Sequence, residues 1–182
     1  AANTTPVTTI ITGTGAVPSF SLDVAQIGGM YAGKIHLIGT EQGLGVRSAG
    51  TIGSTGGDLV LHANGLLTNY GSIFANGNLE VQALGLTNNQ GSIASTVNTQ
   101  VTTTQDVVNN DGLITAGKKL TVQASHVTNT VNAEISGTQT QIYASHTLTN
   151  RGLIDGISTQ IVADSLTNIG TGRIYGDSLQ IN

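Results

Sequence analysis

The sequence predicts an all-β fold, a parallel β-helix built from stacked repeats of about 20 residues. The first observation is an isoleucine that returns every 19 to 21 residues, at Ile52, Ile73, Ile93, Ile114, Ile135, Ile154 and Ile174. The second is a short segment of alternating apolar and polar residues that recurs with it, such as LEVQA at residues 79–83. The third is that no stretch sustains helical spacing of apolar residues, which argues against leucine-rich and helical repeats.

One repeat, LLTNYGSIFANGNLEVQA at residues 66–83, shows how a coil is built. The segment LTNYG (67–71) is predicted to be a turn that leads into Ile73, and NGN (76–78) a second turn before the alternating strand. Such a unit cannot bury its own apolar face, but stacked copies can, with equivalent residues about 4.8 Å apart. We therefore expect about eight coils between residues 24 and 182, which makes a rod of about 40 Å.

We expect three columns of apolar side chains inside this solenoid. The repeated isoleucines form the first column. The second begins with Leu59, Leu79 and Leu120. The third consists of Leu61, Val81, Val101, Val122, Ile142, Ile161 and Ile181. Small residues fit where the coil narrows, at Ala83, Ala124, Ala144 and Ala163.

The chain divides into three parts by the regularity of this repeat. Residues 1–19 are Thr-rich, carry both prolines and form an irregular lead-in with one candidate edge strand near residues 7–12. Residues 20–47 form a longer, decorated coil, in which Gly28-Gly29 and the GLG of residues 43–45 are expected to supply positive φ angles. Residues 48–182 form regular repeats of one continuous solenoid.

Composition excludes several classes of protein. Six Lys and Arg residues against ten Asp and Glu residues, a formal net charge of -4, give no basic surface for nucleic acid. No run approaches the 18 or so apolar residues of a membrane-spanning helix. The absence of cysteine is compatible with the cytosol and with secretion of a chain that must stay free of crosslinks before export. No signal peptide is visible at Ala1, so we expect a piece of a longer chain.

A polar column accompanies the apolar ones, at Asn69, Asn88, Asn109, Asn129, Asn150 and Asn168. These asparagines could be ligand contacts spaced along a groove. The alternative is an asparagine stack at a turn, in which each amide bonds the coils above and below, and Asn tolerates the left-handed backbone conformation. We favour the stack because every regular coil has the asparagine.

The acidic residues do not form an obvious catalytic pair. Some parallel β-helices cleave polysaccharides, which requires two carboxylates about 5 to 9.5 Å apart or acidic ligands for calcium. The register after the repeated isoleucine contains a single acid, in the series Gly53, Phe74, Ala94, Thr115, Ser136, Asp155 and Tyr175. Asp106 and Asp111 are close in sequence but belong to a turn. The sequence therefore predicts no enzyme, no cofactor and no catalytic residue.

Two histidines occupy the same place in consecutive repeats, His126 and His146, each at the end of an ASH segment. Their rings should be neighbours in stacked coils. As a metal pair they lack a third ligand at a suitable spacing, since Ser125 and Ser145 are poor ligands. Stacked surface imidazoles explain the pair at least as well, and no metal site is predicted.

The stretch LDVAQIGGMYAGKIHLIGTEQGLGVRSAGTI (22–52) resembles the segment that opens the haemagglutinin-repeat region of large exoproteins exported by two-partner secretion. That group includes filamentous haemagglutinins and contact-dependent growth-inhibition effectors. The resemblance is specific over residues 20–65 and continues more loosely through the LTNxGxI repeats to Asn182. It implies a right-handed parallel β-helix, export through an outer-membrane transporter, and an extended filament that is secreted or on the bacterial cell surface.

We predict a structural segment, a stiff stalk that presents an adhesive or toxic tip. The alternative is a binding module that contacts a glycan or a receptor on a host or bacterial cell through the decorated coil, with contacts from Tyr31, His36, Glu41 and Arg47. A carbohydrate-active enzyme is the third possibility. The sequence has no Trp, and its four tyrosines are expected in different registers, which argues against an aromatic platform for glycans.

Overall fold

A computed structural model describes residues 20–182, which fold into 19 β-strands without any helix. The predicted lead-in, with its candidate strand at residues 7–12, lies outside the described residues. The first ten strands are β1 (Phe20–Val24), β2 (Gly29–Ala32), β3 (Ile35–Ile38), β4 (Gly45–Ser48), β5 (Thr51–Ser54), β6 (Leu59–His62), β7 (Leu66–Asn69), β8 (Ser72–Ala75), β9 (Leu79–Ala83) and β10 (Gly85–Asn89). The remaining strands are β11 (Ser92–Ser95), β12 (Asn98–Thr103), β13 (Val107–Asn110), β14 (Leu113–Asn129), β15 (Glu134–Asn150), β16 (Leu153–Asp155), β17 (Ser158–Asn168), β18 (Arg173–Ile174) and β19 (Ser178–Ile181).

The strands stack as a parallel β-solenoid of about eight turns, so the predicted fold class is confirmed. Each turn has three faces, and each face pairs in parallel with the same face of the next turn. The isoleucine face contains β2, β5, β8, β11, the starts of β14 and β15, β16 and β18. The valine face contains β3, β6, β9, β12, the middle of β14 and β15, the start of β17, and β19. The asparagine face contains β1, β4, β7, β10, β13 and the ends of β14, β15 and β17.

The predicted isoleucine column is confirmed along the isoleucine face. Its members pair in register from coil to coil, and those from Ile52 to Ile154 are fully buried. Met30 begins the column and Ile174, partly buried, ends it. Burying one such side chain contributes about 1.5–3 kcal/mol, so the repeated column is a main source of stability.

The valine face confirms the third predicted column from Leu61 to Ile161, where it is fully buried. The prediction was wrong for Ile181, which pairs with Ile161 on the last coil and is exposed because no further described coil covers it. The second column differs from a pure leucine ladder, because Thr99, Thr140 and Thr159 take the leucine position in three coils and are almost completely buried. Each threonine hydroxyl donates to a backbone carbonyl oxygen of the isoleucine face at 2.6 to 2.7 Å. The hydroxyls are thus satisfied in the core and tie two faces of the solenoid together.

The prediction of a turn at residues 67–71 was wrong for its first three residues, which belong to β7. The corresponding strands build a complete third face, with a fourth apolar column that includes Val46, Leu67, Leu86, Val107, Val127 and Leu148. A leucine, a threonine and an asparagine are too few for period-two alternation to separate a strand from a turn. Pairing with the coils on both sides supplies the backbone hydrogen bonds that make this segment a strand.

The decorated coil is longer than the others in the structure as well. Asp23 pairs with Arg47 and Ile35 with Leu59, an offset of 24 residues, and the extra chain lies between β1 and β2 and between β3 and β4. Because the faces continue in register from β1 to β4, this coil is part of the same stack. The division of the chain at residues 19 and 47 stays a prediction.

The predicted roles of the glycines in this coil were partly wrong. Gly43 has φ +83°, but Gly28, Gly29 and Gly45 are not among the described residues with positive φ. Gly45 is required for a different reason, because a Cβ atom there would collide with the carbonyl oxygen of Leu66 on the next coil. Space between coils, and not backbone conformation, excludes a side chain at this position.

The expectation that the tyrosines occupy different registers was wrong for two of them. Tyr31 pairs with Gly53, and the same outward column continues through Phe74 to Tyr175. Tyr31 and Phe74 therefore project from one face, and the coil between them has a glycine at the same position.

In residues 20–182 no helix has the length and apolar character needed to cross a membrane.

Candidate functional site

The asparagine column forms a continuous hydrogen-bonded ladder inside the solenoid. Each Nδ2 donates to Oδ1 of the next asparagine, from Asn69 through to Asn168, over distances of 2.8 to 3.0 Å. The same amides donate to backbone carbonyls at the corner, as Asn109 Nδ2 does to Gly112 at 3.0 Å and to Glu134 at 2.9 Å. The asparagines from Asn69 to Asn150 have no exposed surface, so they are closed to ligands. The structural stack is confirmed.

The ladder asparagines do not use the left-handed backbone conformation that Asn tolerates. That conformation occurs two or three residues after a ladder residue, at Gln90, Asp111 and Asn132. The ladder asparagines are in strand conformation because each is the last or the next-to-last residue of a paired strand. Their amides satisfy the corner carbonyls, and no buried side-chain polar atom between residues 20 and 182 lacks a hydrogen-bond partner.

The structure does not bring the four proposed binding residues together. Tyr31 lies exposed on the isoleucine face and His36 on the valine face. Glu41 lies in the loop between β3 and β4, and Arg47 lies on the asparagine face. One small ligand therefore cannot contact all four side chains, and binding by the decorated coil stays a prediction for the individual faces.

Arg47 is engaged by its own neighbours. Its guanidinium donates two hydrogen bonds to the carboxylate of Asp23, at 2.9 and 2.6 Å, and lies 5.3 Å from the ring centroid of Phe20. These hydrogen bonds, and the opposite charges, lower the pKa of Asp23 and raise the pKa of Arg47. Both side chains are about half exposed, so this pair joins adjacent coils at the surface and contributes little to stability.

A shallow groove beside the decorated coil is a second candidate place for a ligand. It has a volume of about 550 Å³ and lies at the corner that follows the valine face. The outer part of β3 contributes Ile38, and the polar lining includes Thr40, His62, Asn64 and Gln82. Nε2 of His62 contacts the carboxylate of Glu80 at 2.8 Å. The lining can offer hydrogen bonds and a small apolar patch to a ligand.

The carboxylates are dispersed, as the sequence indicated. Asp155 pairs in register with Ser136, which pairs with Thr115, so adjacent coils present no second acid in that column. Asp155 Oδ1 accepts a hydrogen bond from the backbone N–H of Gly156 at 2.9 Å. Asp58 accepts hydrogen bonds from the backbone and side-chain amides of Asn78, and these lower its pKa. These acids have local structural partners.

The rings of His126 and His146 stack, as predicted, with centroids 5.1 Å apart and planes inclined by 13°. The backbone register shifts by one residue here. The paired residue of His126 is Thr147, whereas the ring that stacks on His126 belongs to the preceding residue, His146. Sequence reasoning missed Asp106, whose Oδ1 lies 3.1 Å from Nδ1 of His126. The signal was available, because Asp106 precedes His126 by one repeat. Between residues 20 and 182 no group of three or more His, Asp or Glu side chains is placed to enclose a metal ion.

These features define the class of the protein, a parallel β-solenoid whose repeated polar column is structural. The haemagglutinin-repeat family profile matches residues 8–111 and 98–175. The chain belongs to the haemagglutinin-repeat family. The resemblance seen in the sequence is thereby confirmed.

The similar proteins are much longer than this chain. A protein named toxin CdiA from Yersinia pestis is 59% identical over 56 residues, which are 31% of this chain and 2% of that protein. A protein named tRNA nuclease CdiA-2 from Burkholderia pseudomallei (strain 1026b) is 46% identical over 65 residues, 36% of this chain and 2% of that protein. A protein named tRNA nuclease CdiA from Escherichia coli (strain NC101) is 41% identical over 75 residues, 41% of this chain and 2% of that protein. No solved structure matches the chain significantly.

The family and these relatives identify the chain as a structural segment of a secreted or cell-surface exoprotein, in β-helical form.

Proposed function

We propose that this segment is a stiff spacer that holds an adhesive or toxic tip of the exoprotein away from the cell, and that it has no catalytic activity of its own. The observation that carries this proposal is the unbroken pairing of each coil with the next, from β1 to β19. Interior columns of isoleucine, valine and asparagine run through the same coils. Bending such a stack separates paired strands, so about eight coils keep the two ends about 40 Å apart.

We also propose an outer-membrane two-partner-secretion transporter as the partner during export. Family membership supports this partner. The fold is compatible with passage through a pore as an unfolded chain, because the chain has no cysteine and each coil contacts only its neighbours in the stack. Coils of this kind can fold one after another as they emerge.

Deleting coils in the full-length exoprotein tests the spacer role. Removal of residues 88–108 takes out one repeat and joins Thr87 directly to Asn109. Thr87 then occupies the register position of Val108, with which it is paired in the intact protein. We expect normal export, surface display and tip activity, because every remaining column stays continuous. Removal of residues 88–98 is the matched control; it breaks the register and should abolish display. If the whole-coil deletion is displayed but the tip activity is lost, the segment does more than space the tip.

A second candidate function is direct binding of a glycan or receptor by the decorated coil. Two observations favour it: the groove lined by Ile38, Thr40 and Asn64, and the exposed ring of Tyr31 on another face. The two lie on different faces, so we expect one of them to carry any binding. A glycan array with the isolated fragment and its Tyr31→Ala and Asn64→Ala variants separates these sites. Signals that persist in both variants, or no signal at all, contradict this second function.

A further inference from the structure

A groove on the last coils of the described stack is bordered by two arginines. It has a volume of about 310 Å³, and its side chains include Val131, Asn132, Glu134, Arg151, Thr171 and Arg173. The arginines lie on adjacent coils, because Leu153, two residues after Arg151, pairs in register with Arg173. Adjacent coils are about 4.8 Å apart, so both long side chains can reach the same space. This arginine groove is large enough for one small ligand.

Within residues 20–182, the two arginines of this groove form no ion pair, and both are exposed. Glu134 borders the groove, but its carboxylate accepts a hydrogen bond from the hydroxyl of Ser136. Arg47 is the opposite case, because Asp23 occupies its guanidinium with two hydrogen bonds. Arg151 and Arg173 therefore keep the forked N–H donors of their guanidiniums for a ligand.

The stacking of coils does not require an arginine at either place. In earlier coils the residue that follows the ladder asparagine, where Arg151 stands, is Tyr70, Asn89, Asn110 or Thr130. The residue before the repeated isoleucine, where Arg173 stands, is Thr51, Ser72, Ser92, Leu113, Glu134 or Leu153. None of these residues is a cation. The two positive charges are thus a local property of this groove.

The chemistry of the groove fits one carboxylate on a ligand that carries hydroxyl groups. A guanidinium matches the two oxygens of a carboxylate with two parallel hydrogen bonds. Glu134 places a negative charge beside the arginines, which favours a singly charged ligand over a doubly charged phosphate. The hydroxyl of Thr171 donates to the carbonyl of Arg151 at 2.6 Å and can still accept a hydrogen bond from a ligand hydroxyl. Val131, 44% exposed, offers an apolar contact.

We propose that the arginine groove binds the carboxylate of a sugar acid, such as a uronic acid residue of an acidic polysaccharide. Arg151 and Arg173 bind the carboxylate, and the polar side chains around them contact the sugar hydroxyls. The groove lies at the other end of the described stack from the decorated coil, so this inference does not depend on binding by that coil.

Titration of the chain with methyl glucuronoside, followed by NMR of the arginine Nε–H signals, tests the site. We expect the signals of Arg151 and Arg173 to shift together, and the neutral methyl glucoside to shift neither. Arg151→Gln and Arg173→Gln should each weaken binding by at least about tenfold, because each removes a charge-assisted hydrogen bond. Arg151→Lys keeps the charge but loses the fork, so it should also weaken binding. Lys118→Gln removes an exposed cation outside the groove and is the matched control.

Several results would overturn the proposal. One is the absence of a shift at about 10 mM glucuronoside, and another is equal binding by the parent and the Arg151→Gln/Arg173→Gln double variant. Acetate that binds as tightly as the glucuronoside would show that the sugar is not recognised. Tighter binding of glucose 6-sulfate would show that the groove does not select a carboxylate. Both arginines are exposed, so circular dichroism should show the parent fold in every variant.

Discussion

Replacing Asn109 with alanine interrupts the asparagine ladder at its centre. Oδ1 of Asn109 accepts from Nδ2 of Asn88 at 2.8 Å, and its own Nδ2 donates to Oδ1 of Asn129 at 3.0 Å. Asn109→Ala leaves Oδ1 of the fully buried Asn129 without its ladder donor, whereas the amide of Asn88 still donates to the carbonyls of Gly91 at 3.0 Å and Leu113 at 3.1 Å. The corner carbonyl of Gly112 is less affected, because it still accepts from the backbone N–H of Glu134 at 2.9 Å.

The expected loss follows from this orphaned oxygen. A buried polar group without a partner costs about 1–3 kcal/mol, so Asn109→Ala should cost about that much. The neighbouring Asn110 is exposed, and its Nδ2 donates to Oδ1 of Asn89 at 2.6 Å on the surface. Asn110→Ala is thus the matched control, with an expected change within about 0.5 kcal/mol.

Urea unfolding followed by far-ultraviolet circular dichroism measures both variants. Asn109→Ala should shift the midpoint well below that of the parent, and Asn110→Ala should not. If the free energy of unfolding of Asn109→Ala lies within about 0.5 kcal/mol of the parent, the buried ladder is not a source of stability and the reasoning fails.

Three further changes test other parts of the solenoid by the same unfolding measurement. Ile114→Ala should cost about 2–5 kcal/mol because Ile114 is fully buried, and Leu113→Ala, at an exposed neighbour, should cost far less; equal losses would contradict the inward column. Gly71→Ala should destabilise the protein, since its Cβ would collide with a carbonyl of the previous coil, whereas Gly33 has open space and Gly33→Ala is the control. The folded state lowers the pKa of Asp58, so its contribution is present above the ordinary value of 3.8 and lost as pH falls through the folded pKa. Asp58→Asn should therefore flatten the acid side of the stability profile, and an unchanged profile would contradict this.

The sequence predicts the fold of the described residues well because equivalent positions of successive coils carry residues of the same kind. An inward isoleucine must meet another apolar residue one coil away, so Ile93 and Ile114 recur at the period of the backbone. The asparagine ladder is predictable for the same reason, since an amide can bond an identical amide in the next coil. Repetition along the chain therefore gives both register and burial.

The candidate site is less predictable, because residues less than one coil apart point in different directions. Tyr31 and Arg47 are 16 positions apart, yet they lie on different faces of the three-sided coil. Asp106 and His126 are farther apart in the sequence and are in contact. A short polar segment such as Leu67-Thr68-Asn69 carries no clear period of its own, and its strand conformation comes from pairing with other coils.

Distances between paired spin labels test the stacked solenoid most directly. The chain has no cysteine, so labels can be placed at outward positions of the asparagine face. Thr68 is connected to Thr149 by four steps of parallel register and to Thr167 by five. At about 4.8 Å per coil, the backbone separations are about 19 Å and about 24 Å, so the second pair should be longer by one coil spacing. Narrow distance distributions that increase in this way support a rod of stacked coils. Broad distributions, or a Thr68–Thr167 distance no longer than that of Thr68–Thr149, contradict it.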